Sequence, residues 1–392
     1  MLDARVLIVG AGLGGLACGA ALRRQGMTPR IFERDDSRSG RAQGFAVNLD
    51  GGLSALDRIG LGDAVRSAGA PCPGLDIVDL RARKLFHFPS QDSYSVGRPE
   101  LRELLLEAAG ADRVEWDRRC VGYRQEDDEV VVQFDDGSEE RGDLLIGSDG
   151  VRSAVRDQLR GDPLHYVGVT IVGGEAVGKE AQDALDSGFF DGGKLLLLGR
   201  QASFYATLFS QEGRIRWSVG RAVEQGTLEQ RLTEPAELRR DASELAEDEA
   251  WPEPIRELIA STPLESFKIR PVFDRSPLSP WEHGRITLLG DAAHPMTPYR
   301  GLGANLALED AVDLAETLTS EPDEADPPTT STNGEPLHPL AVYQQTMLRR
   351  GTRAQNLSRN MAELIHWRNP LARALRNSSL RVAYGAVRLL RG

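Results

Sequence analysis

The chain has 392 residues, 40% hydrophobic and 27% charged, enough apolar side chain for a sizeable core and a lined pocket in one large or two interlocked domains. Its formal charge of −12 argues against a nucleic-acid surface, because phosphate contacts need clustered Lys and Arg. Cys18, Cys72 and Cys120 are too scattered for a metal site or a disulfide framework and read as reduced thiols of a cytoplasmic protein. Residues 6–22 are apolar enough to mimic a secretory signal, but Asp3 precedes them and their glycines have cofactor rather than cleavage-site spacing. No other run approaches a membrane span.

Residues 5–10 (RVLIVG) predict a fully buried parallel strand that stops in glycines. A helix over 16–26, ended by Gly26, and a strand over 29–33 complete a βαβ opening. Helices follow at 53–59 and at 99–109, the latter with Pro99 in its first turn. Residues 130–134 and the Asp135-Asp136-Gly137 turn predict a hairpin, and 144–147 (LLIG) another buried strand. From His165 to about Val223 the texture changes to one-faced antiparallel strands, such as 203–209 and 215–219. One charged helix is expected over 236–260, a buried strand over 285–289 and a long helix over 304–318. Residues 320–339 are rich in proline, acidic, Ser and Thr residues and read as a flexible surface loop. The expected organisation is a discontinuous nucleotide-binding domain (1–73, 97–162 and 267–319) around an inserted β-rich domain (74–96 and 163–266), followed by C-terminal helices over 340–392.

Gly10-Ala11-Gly12-Leu13-Gly14-Gly15 has G-x-G-x-x-G spacing between a strand and a helix. Gly10 allows the tight turn, Gly12 lets backbone approach a pyrophosphate, Gly15 permits close helix packing, and the amides from Leu13 and Gly14 onward offer N–H groups to phosphate. Glu33 follows Gly15 by eighteen residues, where a carboxylate takes the adenosine ribose hydroxyls. The pattern specifies a dinucleotide without saying which.

Two further segments narrow the choice: 143–156 (DLLIGSDGVRSAVR) and 285–311 (RITLLGDAAHPMTPYRGLGANLALEDA). With them, roughly residues 4–360 resemble the single-component FAD-dependent aromatic hydroxylases of the para-hydroxybenzoate hydroxylase fold. The resemblance implies an α/β fold: a Rossmann-like FAD-binding domain, an inserted, mostly antiparallel β-sheet substrate domain and C-terminal helices. It implies non-covalent FAD, with NAD(P)H as a transient co-substrate, since only one nucleotide fingerprint is present. The implied activity is a monooxygenase that uses O2 to hydroxylate or epoxidise a small, largely apolar aromatic, polyketide or terpenoid substrate through a flavin C4a-hydroperoxide. Flavin reduction, dehydrogenation or cyclisation without oxygen insertion, and non-catalytic flavin binding, are the competing readings.

The resemblance also carries site residues. Asp291 would contact the ribityl chain, and Pro298, Gly301, Gly303, Ala304 and Asn305 would border the isoalloxazine ring. There the helix start can set N–H groups against an anionic flavin edge. Asp149 would serve both FAD and NAD(P)H, with help from Arg152. Arg41 and Arg98 fall where the family contacts the pyrophosphate or ribityl chain, Val121 where backbone meets adenine, and Arg34 beside the adenine. His294 reads as a structural residue. Two positions depart from the family pattern: Arg300, a candidate cation at the pocket edge, and Leu302, which makes that rim more apolar.

The pocket is expected between the flavin and the β-rich region, and strand register decides which of Tyr205, Phe209 and Trp217 face it. Residues 367–391 hold six arginines and no acidic residue, a basic amphipathic helix that either covers the cofactor domain or makes weak contact with an anionic membrane surface. The chain is expected to act on a small molecule as a monomer or homodimer.

Overall fold

The computed structural model describes residues 3–38, 46–282, 284–320, 338–367 and 369–391, the last five by backbone alone. Arg41, Phe45 and most of the expected 320–339 loop lie outside the described residues.

Runs of buried β-branched and leucine residues build a five-stranded parallel sheet. Its order is Ile286–Leu288, Leu144–Gly147, Val6–Val9, Arg30–Phe32 and Val114–Glu115. Every residue of Val6–Val9 and Leu144–Gly147 is buried, as a sheet covered on both faces requires. The helices Leu13–Arg24, Arg98–Ala109 and Leu302–Thr319 pack into the same core. The glycine turn thus sits at the carboxyl end of a central strand, where open α/β sheets bind ligands.

A seven-stranded sheet runs in the order Lys268–Asp274, His165–Ala176, Ile215–Ala222, Ala202–Leu208, Gly193–Leu198, Gly74–Val78 and Lys84–Pro89. It is antiparallel except where Gly193–Leu198 pairs with Gly74–Val78. Lys268–Asp274, grouped by sequence with the nucleotide-binding segments, is an edge strand of this sheet. One face is covered by helices Pro235–Asp248 and Glu253–Ser261 and buries Leu195, Leu197, Phe204, Trp217 and Trp251. The opposite face brings Ile77, Leu196, Leu198 and Tyr205 against Tyr299 and Ile365.

The single helix expected over 236–260 is broken. Ala250 takes a left-handed φ of 54°, Trp251 is buried, and Pro252 has no N–H to continue the ladder. A short helix, Lys179–Asp186, also interrupts the expected run of strands.

Candidate active site

The glycine turn is closed by backbone from a distant part of the chain. A Cβ on Gly10, whose φ is +103°, would lie 2.5 Å from the Ser148 carbonyl oxygen, and one on Gly15 would strike the Gly10 carbonyl. A Cβ on Gly12 would meet nothing within 4 Å, so the backbone there borders open space at the start of an uncapped helix. That is the shape a pyrophosphate needs. Gly14 instead packs against Leu289 and Ala307, tying the turn to the 302–319 helix.

Glu33 accepts from the Ala11 amide at 2.6 Å and from Asp35 at 3.1 Å, which holds its carboxylate at the turn. Arg34 is half-buried beside it, and Val121 is exposed on strand Cys120–Gln125. Arg102, which sequence reasoning missed, donates to the Ala11 carbonyl at 3.2 Å and lies over the Trp116 ring. The signal was present: Arg98 and Arg102 are one turn apart on one helix face.

Asp149 accepts from the amides of Ala154 and Val155 through one oxygen, while its Oδ1 is buried without a partner. Burial pushes this carboxyl up. Gly150 (φ +83°) and Gly301 (φ +63°) also border open space. An orphaned buried oxygen and three backbone positions that a side chain would obstruct fit an extended cofactor with its own hydrogen-bonding groups. The residues present therefore suit FAD.

At the other end, Pro298, Gly301, Gly303 and Ala304 form the turn into helix Leu302–Thr319. Asn305 clamps this helix start. Its Oδ1 accepts from the amides of Asp50 and Gly52, and its Nδ2 donates to the carbonyls of Asn48 and Gly301. Asn48 in turn donates to the Tyr205 hydroxyl at 2.6 Å. Desolvation raises the Asp291 carboxyl, even though His294, Arg98 and Arg270 pull it down. Burial lowers Arg98, which feels Asp291 and also Arg270, Arg216 and Arg102. Both ends of the expected site thus face one recess.

Register settles the three aromatic residues. Tyr205 is on the face toward the 298–305 turn, whereas Trp217 is fully buried under the helices, its indole N–H on Thr262 Oγ1 at 2.8 Å. Phe209 is buried beneath Arg214, whose guanidinium lies 4.8 Å from the ring centroid. Arg300 is exposed; its neighbour Tyr299 turns inward to His366, Oη to Nε2 2.6 Å. His366 is held down to about 4 by burial and then by Arg376, so it is neutral at pH 7 and accepts the phenol proton.

His294 is buried with Nε2 2.5 Å from Asp310 Oδ2, and Arg350 donates to the other oxygen at 2.6 Å. This pair anchors the 302–319 helix to the end of strand Ile286–Leu288 through the Gly290 amide, 3.1 Å from Asp310. Burial pushes Cys18 and Cys120 up to about 12, which leaves both as inert thiols. Among the described residues there is no cluster able to hold a metal and no helix long and apolar enough to cross a membrane.

Comparison with known proteins adds the following. A family model described as FAD binding domain matches residues 3–329. The chain is 31% identical to an aurachin C monooxygenase/isomerase of Stigmatella aurantiaca, over 96% of this chain and 94% of that protein. It is 28% identical to a 3-amino-4-hydroxybenzoate 2-monooxygenase of Streptomyces cremeus, over 93% and 88% of the two chains. Among solved structures, Klebsiella pneumoniae HpxO complexed with FAD and uric acid superposes with a TM-score of 0.82 at 25% identity, covering 96% of this chain and 92% of that one.

Proposed function

The chain belongs to the FAD binding domain family, and from that premise we propose how its residues divide the work of a flavoprotein monooxygenase. The protein is an FAD-dependent oxidoreductase that takes electrons from NAD(P)H and transfers an oxygen atom from O2. When bound, FAD supplies the hydride acceptor and the oxygen-activating ring.

The observation that carries our division of roles is that two open backbone turns, at Gly12 and Gly301, face one recess with the Tyr205 side of the large sheet opposite. The Gly12–Gly15 amides and Glu33 would hold the adenosine half, with Arg34, Val121 and Asp149 along it. Asp291, Arg98 and the Pro298–Asn305 turn would hold the ribityl chain and ring. Substrate would then lie on the sheet, above Leu196, Leu198 and Tyr205. The protein's own task is positional: Asn305 fixes the turn, the 339–365 helix closes the recess at Ile365, and the sheet excludes water from the reacting atoms. No side chain need act as a nucleophile. We propose a ring-bearing substrate of the aromatic, polyketide or terpenoid kind, since relatives named for such ring compounds share most of the chain's length.

The test is a screen of ring compounds for acceleration of NADH and NADPH oxidation by the FAD-loaded protein, followed by product mass. The expected result is O2 consumption stoichiometric with a product heavier by one oxygen atom. Turnover to a reduced, dehydrogenated or cyclised product without O2 uptake would move the chain to the non-oxygenating reading.

A further inference from the structure

The side of the large sheet that faces the 298–305 turn carries positive charge that no carboxylate answers. Register places Arg216 on this face beside Thr207 and Glu175, and Arg270 on it opposite Ile171. Arg216 makes a single hydrogen bond, to the Ala46 carbonyl at 3.3 Å, and among the described residues neither arginine forms an ion pair. The neighbouring carboxylate, Glu175, is occupied by Arg214 at 2.7 Å. The nearest lysine on the same face, Lys194, is 3.7 Å from Asp50 and does nothing to balance the excess. Asp291 is the one anion that acts on Arg270, and it is shared with Arg98. Desolvated guanidinium groups without partners are costly, and a folded protein retains them where an anion arrives to pair with them.

A second observation concerns the donor beside Arg216. The Arg216 guanidinium lies 5.7 Å from the Tyr205 ring centroid. Asn48 fixes the role of the Tyr205 hydroxyl. Its Oδ1 accepts from Ser95 and, at 3.0 Å, from Thr207, so its Nδ2 must be the group that faces Tyr205. The phenol oxygen therefore accepts, and its own proton is left to donate into the recess. Leu196 and Ile77 continue the same cross-strand row as Tyr205 and supply an apolar bed next to this polar end.

We propose that the substrate binds as an anion, a ring compound bearing a carboxylate or an ionised enol or phenol, with the anionic group between Arg216 and Arg270 and hydrogen-bonded by Tyr205. This deepens the monooxygenase reading and rests on it for the position of the flavin. Arg216 and Tyr205 supply direction, Arg270 supplies charge, and the leucines take the ring. A neutral isostere would leave the arginines unpaired and bind correspondingly less well.

The experiment uses the FAD-loaded full chain and follows the flavin absorbance on titration with matched acid and amide probes. The pairs are benzoate and benzamide, 1-naphthoate and 1-naphthamide, and quinoline-4-carboxylate and its amide. At least one acid should bind about tenfold or more tighter than its amide. Arg216→Gln and Arg270→Gln should each remove most of that preference, leaving amide binding and FAD content unchanged. Arg216→Lys should keep part of it, and Tyr205→Phe should weaken the acid alone. The proposal is overturned if no acid outbinds its amide, or if Arg216→Gln keeps the preference. It is also overturned if either glutamine variant loses FAD, which would assign these cations to the cofactor. Acid-selective binding by a flavin that neither NADH nor NADPH reduces would instead sink the monooxygenase reading and leave the anion site standing.

Discussion

Asp310 illustrates how much can hang on one buried carboxylate. It is fully buried, takes His294 on one oxygen and Arg350 on the other, and also receives the Gly290 amide. Asp310→Asn removes the charge that both cations answer, and we expect a loss of about 3–5 kcal/mol in a chemical-denaturation series. The pair also predicts a pH dependence with a definite sign. Burial alone would lower His294, but the charge and hydrogen bond of Asp310 raise it above its ordinary value. Its contribution is therefore complete below roughly pH 6.5 and fades as pH rises through the higher folded value. Asp310, held below its ordinary range against the opposing effect of burial, contributes above that range and is lost in acid. Thermal midpoints of the FAD-loaded protein should fall from neutral toward alkaline pH, and His294→Gln should flatten that limb. An unchanged alkaline limb in the variant would rule out His294 as its source. The glycines at 10, 12 and 15 were legible in sequence because their constraint is local, a turn between a strand and a helix. Asp310 was not, because its partner comes from a separate segment and nothing in a helical acid residue announces burial.

At the scale of elements, the start of the 302–319 helix depends on one side chain that joins it to strand Ala46–Leu49 and to the helix after it. Asn305→Ala would leave the amides of Asp50 and Gly52 without their acceptor, at about 1–3 kcal/mol each. A melting-temperature drop with FAD bound, together with more peroxide released per NAD(P)H oxidised, is expected. A variant as stable and as tightly coupled as the parent would show that the clamp is dispensable. Most elements were readable from periodicity: the βαβ opening, the 130–142 hairpin, and the strands at 144–147 and 286–288 lie where their patterns place them. The break between helices Pro235–Asp248 and Glu253–Ser261 was harder, since charge and leucine spacing continue across it and only the buried Trp251 forces the turn. The inward faces of the large sheet were unreadable for a different reason. Alternation gives two faces, and only pairing with neighbouring strands says that Tyr205 and Arg216 share one while Trp217 takes the other.

At the scale of the whole molecule, the recess is built from pieces far apart in the chain. Val6 pairs with Leu144, Leu145 pairs with Ile286, and Gly10 fits against Ser148. Such non-local pairing slows folding, because loop closure must be met before contacts reward it. In refolding from denaturant with FAD present, quenching of flavin fluorescence should accompany the slowest phase rather than the early gain of helix signal. Quenching within the first phase would mean that the opening βαβ unit captures the dinucleotide alone.

The closure of the Gly10 turn by Ser148 has a further consequence during synthesis. The opening strand, helix and second strand leave the ribosome first, yet the edge that completes their sheet at Ile286–Leu288 emerges only after most of the chain. Until then the nascent chain presents an apolar strand with an unpaired side, the kind of surface that chaperones shield. Loading with the vitamin-derived cofactor is therefore a late event in the life of each molecule, and riboflavin starvation should reach this protein as an accumulation of full-length, protease-sensitive chains rather than as arrested fragments.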